Sequence, residues 1–171
     1  MPKFPCTVLL PLLCSLFAAC ASTWSPPRDP AANRVRAEVA EFLARIPPDI
    51  AREGPRAWRR HLLDDKAFFM ATYGALHLRS GEHALRFVDE IAPKITQMEL
   101  TLRDVRIEPL AEDLAAVSAG YAEQATLADG GTERFAGWFT GVAVKTRDGW
   151  RLQHAHWSDP IDAPGHEPRP W

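Results

Sequence analysis

Beyond residue 20 the chain has no cysteine; Cys6, Cys14 and Cys20 all lie in the first twenty residues. Disulfides, a cysteine nucleophile and cysteine-rich zinc sites are therefore excluded from the remainder, and its stability has to come from packing. Basic clusters are equally scarce. No run of lysine or arginine exceeds Arg59-Arg60, and the formal net charge is -2. Nucleic acid is not an expected partner, because phosphate binding needs a concentrated positive footprint. The apolar run from Val8 to Ala19 is shorter than the roughly 20 residues a membrane-crossing helix requires. No residue set calls for a metal or cofactor, and none is expected.

What is present suits one globular domain. The chain has 171 residues, 46% of them hydrophobic and 25% charged, which supports one core and leaves no room for a second. The opening "MPKFPCTVLLPLLCSLFAAC", with Lys3 ahead of the apolar run, reads as a secretory leader over residues 1–19. Its end, "LFAAC", resembles the lipobox of bacterial lipoproteins, although Phe17 stands where leucine is usual. The resemblance implies lipidation at Cys20 and a periplasmic, membrane-anchored protein that meets the membrane only through that anchor. Ordinary cleavage around Ala19-Cys20-Ala21 would instead leave a soluble periplasmic protein. The proline-bearing segment 20–32 then reads as an extended tether, residues 33–159 as the domain, and residues 160–171 as a tail.

Within the domain the hydrophobic period changes once. Val35, Val39, Phe42, Leu43 and Ile46 form a helical stripe that Asn33 can cap and Pro47-Pro48 should end. A second short helix around Trp58 and Leu62, a strand at "AFFMAT" (67–72) and a third helix capped by Ser80 and stopped by Pro93 follow. After Pro93 the period is two. Met98, Leu100 and Leu102 alternate with polar residues, and parity shifts at Asp104 so that Val105 and Ile107 continue on the other register, as a bulge in a bent strand produces. Three more strands follow, with turns at residues 129–131 and 147–149. Gly120, Gly137 and Gly141 lie inside these strands and permit sharp bending. A curved sheet roofed by helices leaves a hollow, so a pocket is expected.

Taken together, "DDKAFFMATYG", "RSGEHALRFV" and above all the hairpin "FTGVAVKTRDGWRLQHAHWS" resemble the SnoaL-like branch of the nuclear transport factor 2-like superfamily. The resemblance implies an α+β fold in which a cone-shaped, strongly curved, mixed or antiparallel sheet wraps around N-terminal helices (a cystatin-like roll). It also implies a deep pocket and a homodimer formed through the outer face of the sheet. It implies little about chemistry, since the fold hosts enzymes and non-enzymes alike.

The candidate pocket residues are Tyr73, His77, Tyr121, Glu123, Trp138, His154, His156 and Trp157. His154 and His156 share one strand face about 7 Å apart, and a pair without a third ligand such as His77 or Glu123 fits packing or pocket lining better than metal binding. The tyrosine hydroxyls could polarise a carbonyl, and Asp64 or Asp65 could serve as a general base, although turn capping is the simpler role. The strands from Thr132 to Ser158 carry no carboxylate at their centres. The expected function is accordingly a cavity for a small, largely apolar molecule. A lyase or isomerase with a Tyr/His or Tyr/Asp pair, and a dimeric interaction module with a vestigial pocket, are the alternatives.

Overall fold

A computed structural model describes residues 29–72 and 74–158. The expected leader, the tether up to residue 28, Tyr73 and the chain from residue 159 onward lie outside these residues. Helix α1 spans Pro30–Glu53 and starts earlier than the sequence suggests: Asp29, rather than Asn33, is the cap, its Oδ1 accepting from the Ala31 amide at 2.9 Å. Pro30 then occupies a first-turn position that needs no amide proton.

The predicted stop at Pro47-Pro48 does not occur; the helix continues through both prolines and buries Ile50. Each internal proline forgoes a backbone hydrogen bond at a cost of about 3 kcal/mol, so tertiary packing must offset it. Phe42, Ile46 and Ile50 are all at most 1% exposed, and each such side chain contributes roughly 1.5–3 kcal/mol. An ionic cluster secures the last turn, where Arg52 pairs with Asp49 and Glu53 and Arg60 reaches back to Glu53. Gly54, at a positive φ of 62° that glycine tolerates, turns the chain into a 3-10 helix, Gly54–Arg60, in place of the expected second helix. His61 just beyond it is buried at 3%, its Nε2 3.0 Å from Asp49 Oδ2. Burial lowers its pKa, and nearby Asp49 only partly opposes this.

Strand β1 (Phe69–Thr72) is followed by β2 (Ala75–Leu78), a short return strand that sequence patterning does not reveal. Helix α2 (Gly81–Ile91) starts as expected, with Ser80 Oγ accepting from the His83 amide at 3.2 Å. Strands β3 (Ile95–Ala111), β4 (Leu114–Leu127), β5 (Thr132–Thr146) and β6 (Gly149–Ser158) complete one six-stranded sheet in the order β2-β1-β6-β5-β4-β3. Only β1 and β6 run parallel, and the sheet is not closed. This is the mixed α+β fold expected.

Of the register shifts among the described strands, two decide which face the site's side chains take. In β3 the register slips between Arg103 and Arg106, with Asp104 at φ 52°, at the place where the alternation changes parity. Val105 does not join the inner face as expected and is 42% exposed, whereas Ile107 is half-buried. The second bulge lies between β5 and β6, where Val142 faces His154 but Ala143 faces Leu152, leaving Gln153 as the extra residue. Gly141 beside it has no room for a side chain: a Cβ would lie 2.7 Å from the His154 carbonyl oxygen and 2.8 Å from the Phe139 ring. Helix α1 lies along β3 and β4, and its stripe joins Ala115, Ala143 and Leu152 in the core.

Candidate functional site

At the other end of the inner face the sheet and α2 form a partly open cavity of about 670 Å³. Strand alternation builds its floor. On β4, Ala115, Val117, Ala119 and Tyr121 are buried on one face, and the same parity carries Glu123 and Ala125 into the cavity wall. Phe135 comes from β5 and Trp157 from β6, while Phe87, Val88 and Ile91 of α2 form the roof. The aromatic rings support one another edge to face: Tyr121 and Trp157 at 4.7 Å between centroids, Trp58 and Trp157 at 6.0 Å, His77 and Phe87 at 5.0 Å. Such contacts hold rings in fixed positions and stabilise by about 0.5–1.5 kcal/mol each.

Few polar groups enter this apolar space. They are Thr72 from β1, His77 from β2, Arg79 just beyond it, the Tyr121 hydroxyl and Glu123 from β4, and Glu133 from β5. Glu123 stands opposite Phe135 and Ala125 opposite Glu133, so the two carboxylates are diagonal neighbours on one sheet face, roughly 7–8 Å apart at their backbones. Burial pushes the Glu123 carboxyl up to about 7, and the charge of Glu133 adds to the shift. Among the described residues no hydrogen-bond donor offsets this. A carboxyl so placed can exchange a proton near neutrality or pair with a cation.

The candidates named from sequence divide between the two faces of the sheet. His77, Tyr121, Glu123 and Trp157 line the cavity. Trp138, His154 and His156 do not: Trp138 is 38% exposed beside the buried Phe139, and His156 is exposed beside the buried Ala155. His154 stacks on Phe69 with ring centroids 4.1 Å apart. Burial lowers its pKa, against the opposing effect of a hydrogen bond to the Ala67 backbone. The cause is the Gln153 bulge, which inverts parity after Trp150 and Leu152 and turns both imidazoles away from the interior.

Asp64 is exposed. Asp65 caps a turn, its Oδ1 accepting from the Ala67 amide at 2.8 Å and its carbonyl oxygen from the Phe68 and Gly81 amides. Neither lines the cavity, so the general-base role raised for them has no support in the geometry. Cys20 and Tyr73 lie outside the described residues. Glu133, Arg79, Trp58 and Phe135 were missed; the inward parity of β5, set by Phe139 and Ala143, is the signal that could have placed Phe135 and Glu133. Among the described residues no three His, Cys, Asp or Glu side chains are grouped to hold a metal ion.

This arrangement of helices, bent sheet and hollow has a family. The sequence profile of the SnoaL-like domain matches residues 49–162, well over half of the chain. The chain belongs to the SnoaL-like family. Among curated proteins nothing matches. Solved structures similar to this SnoaL-like chain include a nuclear transport factor 2-like superfamily protein from Salmonella enterica serovar Typhimurium, at 18% identity and a TM-score of 0.63, covering 79% of this chain and 97% of that one. The Kfla4162 protein from Kribbella flavida is similar at 20% identity and a TM-score of 0.60, over 74% and 91% of the two chains. A hexachlorocyclohexane dehydrochlorinase from Novosphingobium barchaimii is similar at 13% identity and a TM-score of 0.56, over 72% and 85%. At these identities the likeness establishes the fold of this SnoaL-like domain and not an activity.

Proposed function

We propose that this SnoaL-like domain binds a small, largely apolar molecule in the hollow between α2 and the sheet. The observation that carries the reading is the cavity itself: about 670 Å³, walled by Phe87, Phe135 and Trp157 with few polar groups, which matches the size and chemistry of small-molecule sites. Equilibrium dialysis against a panel of small aromatic compounds tests it. Wild-type protein retains some of them saturably, and Ala125→Leu, which fills the cavity wall, retains them less; no retention by folded wild-type protein would overturn the reading.

A second reading, proton transfer in a lyase or isomerase, is favoured by one observation. Glu123 and Tyr121 stand two residues apart on the same cavity wall, and the carboxyl is pushed up to about 7. Glu123 replaces His154 and Asp64 as the base this reading needs. Turnover by wild-type protein that Glu123→Gln abolishes would support it.

The leader-like N-terminus supports export with a lipid anchor on Cys20. Incorporation of labelled palmitate that Cys20→Ser abolishes would support the anchor; unlabelled, soluble wild-type protein would favour ordinary cleavage. The outer face, with Trp138 and Phe69 exposed, is the surface for a homodimer. Sedimentation tests it, with Trp138→Glu expected to shift any dimer toward monomer.

A further inference from the structure

We infer that the cavity selects an organic cation: a lipophilic amine in its protonated form, with its ammonium against the Glu123 carboxylate and its hydrocarbon against Phe87, Phe135 and Trp157. The inference rests on the reading of the cavity as a ligand site and specifies the class of ligand. It starts from an imbalance in the lining. Two carboxylates on adjacent strands point into one apolar space, and for Glu123 no donor among the described residues compensates its burial.

The other charged or titratable lining groups are His77 on β2, Arg79 just after β2 and the Tyr121 hydroxyl on β4. His77 packs edge to face on Phe87. Arg79 is exposed, so solvent screens its charge. The lining residues from β1, β3, β6, α2 and the 3-10 helix are uncharged. A ligand anion would meet both carboxylates, and a neutral ligand would leave Glu123 either protonated or charged against hydrocarbon. An ammonium satisfies the carboxylate with a charge-assisted hydrogen bond and gains from nearby aromatic faces. Trp58, Phe87, Tyr121, Phe135 and Trp157 supply those rings.

The exchange balances. Below the titration range Glu123 carries a proton; when the ammonium binds, that proton leaves for solvent and the carboxylate pairs with the cation. Affinity for the amine therefore rises with pH until the amine loses its own proton, whereas affinity for a neutral ligand of the same shape does not rise.

Isothermal titration of the folded protein with three naphthalene probes tests this: 2-(1-naphthyl)ethylammonium, the neutral 2-(1-naphthyl)ethanol and the anion 1-naphthaleneacetate. At about pH 8 the ammonium should bind roughly tenfold more tightly than the alcohol, the order expected for one charge-assisted contact. The acetate should bind weakest, and the ammonium's advantage should shrink at about pH 5.5. Glu123→Gln should remove the preference and its pH dependence, and a cooperative urea transition shows that the variant is folded. Glu133→Gln should reduce the preference by less. Equal binding of ammonium and alcohol, or tighter binding of the acetate, would overturn the inference and leave the cavity reading standing. Failure of all three probes to bind would overturn both.

Discussion

Two glutamates at opposite ends of the domain have opposite fates. Glu38 on α1 accepts from Lys145 Nζ at 2.7 Å and from Trp150 Nε1 at 3.0 Å, and these hydrogen bonds hold its carboxyl below the usual range. Glu123 has neither kind of partner, and burial drives its carboxyl up to about 7. The surroundings explain the difference. Near Glu38 the long helix α1 fills the space with Val35, Val39 and Phe42, whereas near Glu123 the short helix α2 covers the sheet without filling it. A paired acid at the filled end is structural; an unpaired acid at the hollow end is available to a ligand.

The comparison can be broken at several points. The largest effect belongs to the filled end: Phe42→Ala should cost about 3–5 kcal/mol, read from the urea midpoint, and a loss below about 1 kcal/mol would mean that α1 does not seal the core. Next comes Glu123→Gln. Its folded-state pKa of about 7 lies above the ordinary 4.5, so the wild-type protein loses stability as pH rises through that window. The variant should gain up to about 3 kcal/mol at about pH 8 and almost nothing at about pH 4. Equal gains at both pH values would mean that the carboxyl is not the source.

His154→Ala sharpens the contrast between the two sheet faces. It removes a stack on Phe69 and should cost about 1 kcal/mol while leaving the affinity of a cavity ligand unchanged; a large loss of binding would put the imidazole in the site after all. Smallest is Arg59→Ala. It breaks an exposed pair with Asp89 that should contribute less than about 1 kcal/mol and weaken further in salt.

Much of the fold is legible in the sequence because its signals are local. The Asp104 parity shift marks a bulge, Ser80 marks a helix start, and two turns divide the last three strands. Pro47-Pro48 mislead because a local cost is outweighed by distant packing of Ile46 and Ile50. The second bulge is less visible. After Trp150 and Leu152, strict alternation would turn His154 and His156 inward, and only the extra residue Gln153, defined by pairing with β5, turns Ala155 and Trp157 inward instead. The site inherits that ambiguity: Tyr121, Glu123 and Trp157 could be proposed from sequence, whereas Glu133 looked peripheral until its register with β4 placed it diagonal to Glu123.

The most direct test is an NMR titration of the Glu123 side-chain carboxyl carbon in selectively labelled, folded protein. A midpoint near 7, moving toward 4.5 when Glu133 is replaced by glutamine and when 2-(1-naphthyl)ethylammonium is added, is the predicted result. A midpoint already near the ordinary 4.5 in the free protein would contradict the account, because the carboxyl would then be neither buried in an apolar hollow nor waiting for a cation.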